Sequence, residues 1–144
     1  MGYINDIRNE LLRKELATES SLVGVSVEDI NRIEKQASVL LPRAYKDFLI
    51  SFGKKAGFFA SDVVFFYSEI LDLREELNEM IEEEGLDFEV PENAFVFSGY
   101  QGFQYHYFIC DGRGDPEIYR IMDGGESTQK VAESFSGYLK SMVN

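Results

Sequence analysis

The stretch LLPRAYKDFLISFGKK, residues 40–55, combines an early proline, a later glycine and regularly spaced large apolar side chains. Those at positions i, i+3, i+4 and i+7 are Tyr45, Phe48, Leu49 and Phe52. This spacing places all four on one face of a helix. Pro42 can occupy the first turn without losing a needed hydrogen bond, and Gly53 can end the helix. The stretch therefore predicts a short amphipathic helix with a buried aromatic face.

Two further helices are predicted upstream of this stretch. Residues 3–16 carry apolar side chains at helical spacing, and the polar segment TESS that follows ends the pattern. A second helix is expected over residues 27–38, because Ser26 and Asp29 resemble a capping box with Asp in place of the usual Glu. Three helices therefore precede the first predicted strand.

Four strands are predicted from segments rich in aromatic and β-branched residues. They cover residues 62–67, 94–100, 103–111 and 117–123. Short turns, QG and GRGDP, join the last three, so these strands are expected to form an antiparallel meander. The middle strand of the meander has apolar side chains on both faces, which is typical of a central strand covered on both sides.

Two more helices complete the predicted order. An acid-rich surface helix is expected to end near Glu84, with Gly85 just past its end. A terminal helix is expected after Ser127 or Thr128, either of which can cap it. Its predicted apolar stripe consists of Val131, Phe135, Tyr138, Leu139 and Met142. The order predicts one α+β domain over residues 1–144, a mainly antiparallel sheet of about four or more strands packed with N-terminal, middle and C-terminal helices.

Charge excludes several classes of partner. The 144 residues carry a formal net charge of −12, and residues 69–92 alone hold eleven acids and one base. Such a surface repels phosphate backbones and anionic lipids, so neither direct nucleic-acid binding nor membrane binding is expected. The single cysteine excludes an intramolecular disulfide, and no apolar run approaches the ~18 residues of a membrane span. These features predict a cytoplasmic protein.

Enzymatic chemistry is not expected. His106 is the only histidine and Cys110 the only cysteine. On a regular strand the two residues lie about 13 Å apart, too far for a Cys–His catalytic pair, and a zinc site would need further ligands that the chain lacks. The prediction is therefore a protein without catalytic residues, metal or cofactor.

The stretch INRIEKQASVLLPRAYKDFLISFG resembles the signature of the SUKH superfamily, which groups bacterial immunity proteins with fungal regulators of cell-wall glucan synthesis. The residues that match the signature are Leu41, Pro42, Tyr45, Phe48 and Leu49. The resemblance continues through AFVFSGYQGFQYHYFICD, PEIYRIMD and VAESFSGYL, and covers about residues 20–143. It implies an α+β domain that binds other proteins without catalysis.

The resemblance implies a protein partner, and the acidic composition indicates its chemistry. Many bacterial members of the superfamily are antidotes to secreted toxins, and a nuclease toxin needs a basic surface to hold phosphates, which an acidic inhibitor can cover. The candidate contact residues are Glu69, Asp72, Glu75, Glu76, Glu79, Glu82, Glu83 and Glu84. A solvated face that aids solubility is the alternative for these residues. A regulatory or scaffold role like that of the glucan-synthesis regulators is the alternative function, and the oligomeric state stays open.

Overall fold

The computed structural model describes residues 2–124 and 128–144. The helices are α1 (Gly2–Arg13), α2 (Val27–Ala37), α3 (Arg43–Phe52), α4 (Leu73–Glu84) and α5 (Phe135–Val143). The strands are β1 (Leu22–Val23), β2 (Lys55–Ala56), β3 (Ala94–Tyr100), β4 (Gln104–Ile109), β5 (Ile118–Met122) and β6 (Gln129–Ala132). Short 3-10 turns at Glu19–Ser21 and Glu69–Asp72 precede β1 and α4. The α+β class predicted from sequence is confirmed.

Strands β3 to β6 form an antiparallel meander in the order β3-β4-β5-β6, and β1 and β2 form a separate two-stranded sheet. Three residues, 101–103, connect β3 to β4, and the turn is closed by the Phe103 amide, which donates to the Tyr100 carbonyl at 3.1 Å. Its central residues Gln101 and Gly102 both have positive φ, as a type I′ turn requires. A β-bulge interrupts β3 between Val96 and Ser98. The central strand β4 is buried on both faces along residues 105–108, as its composition predicts.

One face of the meander packs against α3 and α5 through aromatic rings. Tyr45 of α3 lies with its ring centroid 5.2 Å from that of Phe108 and 5.2 Å from that of Phe135 of α5. Phe97 of β3 also packs on Phe135, at 5.5 Å. All four side chains are essentially inaccessible to solvent. The predicted aromatic face of α3 is thus the centre of the core.

The starts and ends of the helices follow local chemistry. The hydroxyl of Ser26 accepts a hydrogen bond from the Asp29 amide at 3.1 Å, which caps α2 as predicted. Pro42 is the residue before the first turn of α3 rather than part of it. Gly53 directly follows α3 in a right-handed conformation, and a Cβ there would lie 2.5 Å from Leu49 Cα. This position therefore requires glycine for space and not for a left-handed turn.

One predicted element is wrong. Residues 62–67 form turns rather than a strand, and only Val64 makes a bridge, to Gly99. Phe65 fills the core here as a buried turn residue, against Phe48 and Phe97.

The terminal helix begins later than predicted. Its cap is Ser134, whose hydroxyl accepts from the Gly137 amide at 3.0 Å, and Asp115 binds the Ser136 amide at 2.9 Å. Thr128 precedes β6, and Val131 lies within that strand, whereas Ser127 lies outside the described residues. The backbone of this segment pairs with β5, so it is a strand and not the first turns of a helix.

Candidate protein-binding surface

The eight predicted contact residues lie together on one element. We call them the acidic surface: Glu69, Asp72, Glu75, Glu76, Glu79, Glu82, Glu83 and Glu84. The first two belong to the 3-10 turn and the other six to α4. All eight are exposed. Helical spacing explains why the carboxylates of α4 are exposed. The opposite side of the helix faces the sheet and buries Leu73, Leu77 and Met80.

Helix α4 lies across the second face of the meander. Leu73 contacts the β3 backbone at Gly99, where an added Cβ would lie 2.8 Å from Leu73 Cδ2. Further along, burial raises the pKa of the Tyr105 phenol of β4, and the nearby charges of Glu76 and Glu79 raise it further. The helix therefore places its carboxylates over the turn end of the β3–β4 hairpin.

Within the part of the chain that the structure describes, the acidic surface has no ion-pair partner. Among residues 2–124 and 128–144, none of its eight carboxylates forms an ion pair. Several acids elsewhere are paired, for example Glu117 with Lys130 at 3.0 Å. The difference means that the negative charge of α4 is available to an external cation.

Arg74, the only base of residues 69–92, is bonded to the backbone instead. Its Nη1 donates to the carbonyl of Ala94 at 2.8 Å, and its Nη2 donates to the carbonyl of Pro91 at 3.0 Å and to that of Val90 at 3.4 Å. These bonds hold the segment before β3 against α4. Arg74 therefore serves the fold, and among the described residues it forms no ion pair with the neighbouring acids.

The pKa values of two carboxyl groups are raised by this crowding of like charge. Burial, followed by the neighbouring Asp72, Glu79 and Glu69, raises the pKa of Glu76 above its usual value. Asp123, at the end of β5, raises the pKa of Glu84 through its charge and a hydrogen bond. Asp123 thus extends the acidic surface onto the sheet. The sequence does not indicate this extension, because Asp123 is far from α4 along the chain.

The signature residues lie elsewhere. Leu41, Pro42, Tyr45, Phe48 and Leu49 are all buried, so they build the core and offer nothing to a partner. Within the part of the chain that the structure describes, the hydroxyl of Tyr45 has no hydrogen-bond partner. Burial raises the pKa of this phenol far above its usual value.

His106 and Cys110 do not form a reactive pair. His106 lies in β4 with its ring 5.2 Å from that of Tyr138, and burial together with Arg120 lowers its pKa to about 4. Burial, then Asp111 and Glu34, raises the pKa of the Cys110 thiol to about 11. The thiol is therefore protonated at neutral pH, unlike a catalytic cysteine.

The structure gives no metal-ligand cluster of three or more His, Cys, Asp or Glu side chains within the two described ranges. Over the same residues, none of the helices has the length and apolar character needed to cross a bilayer.

The fold and the site define a class of α+β domain with a buried aromatic core and an acidic helix on its outer face. The sequence model of the SMI1 / KNR4 family (SUKH-1) matches residues 24–141, and the chain belongs to this family. Domains of the family generally bind proteins and are not catalytic. No curated protein matches the chain at a significant level.

Proposed function

We propose that this chain is a cytoplasmic immunity protein that neutralises a toxin by direct binding, and that the acidic surface meets a basic region of that toxin. The observation that carries the proposal is the set of eight exposed carboxylates without a basic partner in the described ranges. A basic nuclease is the toxin class that fits, because it needs cationic side chains to hold phosphates, and carboxylates can occupy them.

Electrostatic attraction of this kind acts chiefly on the association rate. Complementary fields raise association rates by about 10 to 10³ at low salt, and salt screens the effect. The acidic surface should therefore give fast and selective capture, while the lifetime of the complex depends on contacts that exclude water.

The direct test is co-expression of the chain with the C-terminal domain of a large secreted toxin encoded beside it. We expect cells to survive and the two proteins to elute together from a sizing column. Continued killing without a complex would reject the immunity role. A stable complex with an enzyme of cell-wall glucan synthesis instead would favour the regulatory role of the superfamily.

A charge-reversal variant tests the surface itself. Changing Glu75, Glu76 and Glu79 to lysine should slow association with the basic partner at least tenfold at low salt and flatten its salt dependence, because the local field reverses. Stopped-flow or surface-plasmon measurements at two salt concentrations would record this change.

The matched control changes three exposed acids outside α4 to lysine, namely Asp6, Glu28 and Asp62. Net charge changes equally in both variants, so an equal loss of association rate would indicate a general charge effect. Unchanged kinetics in the α4 variant would reduce the acidic surface to a solubility feature.

A further inference from the structure

A small apolar cavity opens beside the acidic surface. Its volume is about 100 Å³, and its apolar walls come from α2, the 3-10 turn before α4, and β3. These wall residues are Ile33, Ala37, Ile70, Leu71, Phe95 and Val96. Among the described residues, the polar side chains that line it are those of Gln36, which is exposed, and Arg74. The cavity therefore lies where the middle helix, the second helix and the edge of the sheet meet.

The size of the cavity restricts what can enter it. An apolar cavity of about 150 Å³ holds a benzene molecule, so 100 Å³ accommodates one aliphatic side chain and excludes larger aromatic rings. Water gains little here because the walls offer few hydrogen-bond partners. An aliphatic side chain would replace missing packing contacts along Ile33 and Val96.

The charges around the opening indicate which residues should lie next to the aliphatic side chain that enters the cavity. Glu92 lines a wider open groove that shares Gln36, Ala37 and Arg74 with the cavity. The Glu92 carboxylate forms no ion pair with any residue that the structure describes. The Arg74 guanidinium is bonded to backbone carbonyls, so its position is fixed. A segment entering the cavity along this groove would therefore pass one acid that has no ion pair.

We propose that this cavity receives one aliphatic side chain of the partner, leucine, isoleucine, valine or methionine, flanked by basic residues of which one faces Glu92 in the adjoining groove. The inference rests on the proposed function and adds to it a buried anchor, which charge on an exposed surface cannot provide. The basic flanks steer the segment in, and the aliphatic side chain slows its release.

Two capped heptapeptides test the proposal, one with a central leucine between pairs of basic residues and the other with alanine in its place. Titration of the methyl-labelled protein at millimolar peptide concentrations would report on Ile33 and Ile70. The leucine peptide should bind about tenfold more tightly, because it buries three more carbon atoms.

A covering variant locates the binding site. Gln36→Trp places a large ring at the opening from an exposed position of α2, and Asn31→Trp is its control, at another exposed α2 position that lines neither the cavity nor the groove. The tenfold preference for leucine should disappear in Gln36→Trp and persist in Asn31→Trp. Equal binding of both peptides to the unmodified protein, or an unchanged preference in Gln36→Trp, would overturn the proposal.

The outcomes separate the cavity from the acidic surface. Salt-sensitive binding of both peptides with equal affinity would reject the cavity as a binding site but would not contradict the proposed function. A leucine preference that survives reversal of Glu75, Glu76 and Glu79, with no loss of affinity, would reject the basic partner instead. If the protein forms dimers in the ultracentrifuge and Gln36→Trp abolishes them, the occupant is a second copy and the proposal is wrong.

Discussion

The two faces of the four-stranded sheet are covered by helices of opposite character. Toward α3 and α5 the contacts are aromatic rings, among them Phe108 against Phe135, with no access to solvent. Toward α4 a narrow aliphatic stripe makes the contact, and the outer side of the helix is almost entirely acidic. One face holds the fold together, whereas the other presents charge on a thinner layer of packing. The side of the sheet that stabilises the fold is thus opposite the side on which we propose that a partner binds.

The largest effect on stability is expected when a ring is removed from the aromatic face. Truncation of Phe48, which is fully buried, to alanine should lower the free energy of unfolding by about 3 to 5 kcal/mol. The matched change on the other side, Glu79→Ala, should alter it by less than about 0.5 kcal/mol. Urea unfolding of both variants gives the comparison, and similar losses would contradict the division between the two faces.

Low pH should reduce the stability of the protein through His106, which lies on the aromatic face of the sheet. Burial and Arg120 lower its pKa to about 4, compared with 6.5 in the unfolded chain, so the unfolded state binds the proton more tightly. The part of the free energy of unfolding that depends on neutral His106 is therefore fully present above pH 6.5. It is lost as the pH falls toward 4, a change of about 3 kcal/mol.

A variant isolates this contribution from the titration of the many acids. In His106→Phe the loss of stability between pH 7 and pH 4 should be smaller by that amount, as measured by urea unfolding at each pH. Parallel curves for the variant and the original protein would show that His106 is not responsible.

The smallest effect concerns the contact between α4 and β3. In Gly99→Ala the new methyl group would lie 2.8 Å from Leu73 Cδ2 and 3.1 Å from Tyr105 Cε1. Such overpacking should cost about 1 to 3 kcal/mol and displace the start of α4. Thermal unfolding measures the cost.

Gly114→Ala is the control, since the nearest atom to its added Cβ is 4.0 Å away. It should be neutral or slightly stabilising, because alanine restricts the unfolded chain. If both glycine variants are equally stable, α4 does not depend on close packing at Gly99.

Sequence periodicity predicted α3, the meander and the exposure of the acidic surface, because each pattern follows from which faces of the element are buried. It failed where partners distant in sequence decide the structure. Phe65 looks like a strand residue, yet it is buried from a turn because the edge of β3 accepts only Val64. Val131 has helical spacing to Phe135, but the free edge of β5 pairs with its segment.

The same limit applies to the site. Helical spacing shows that the carboxylates face outward, but it does not show which of them Arg74 would neutralise. Its bonds to Pro91 and Ala94 depend on where the chain returns to the sheet. The closeness of Asp123 to Glu84 likewise depends on the course of α4 across the strands. Only the isolated position of Arg74 among eleven acids marks it in the sequence.

The backbone bonds of Arg74 have a consequence for how a partner distinguishes native from unfolded molecules. In the unfolded chain its guanidinium is free to associate with Glu75 and the other nearby acids, which weakens their attraction for a cation. Folding bonds the guanidinium to neutral carbonyls of the segment before β3, so that it keeps its charge but forms no ion pair with these acids among the described residues. We therefore expect the carboxylates to be most available to a cation when that segment is in place, so that a basic partner binds folded copies in preference to unfolded ones.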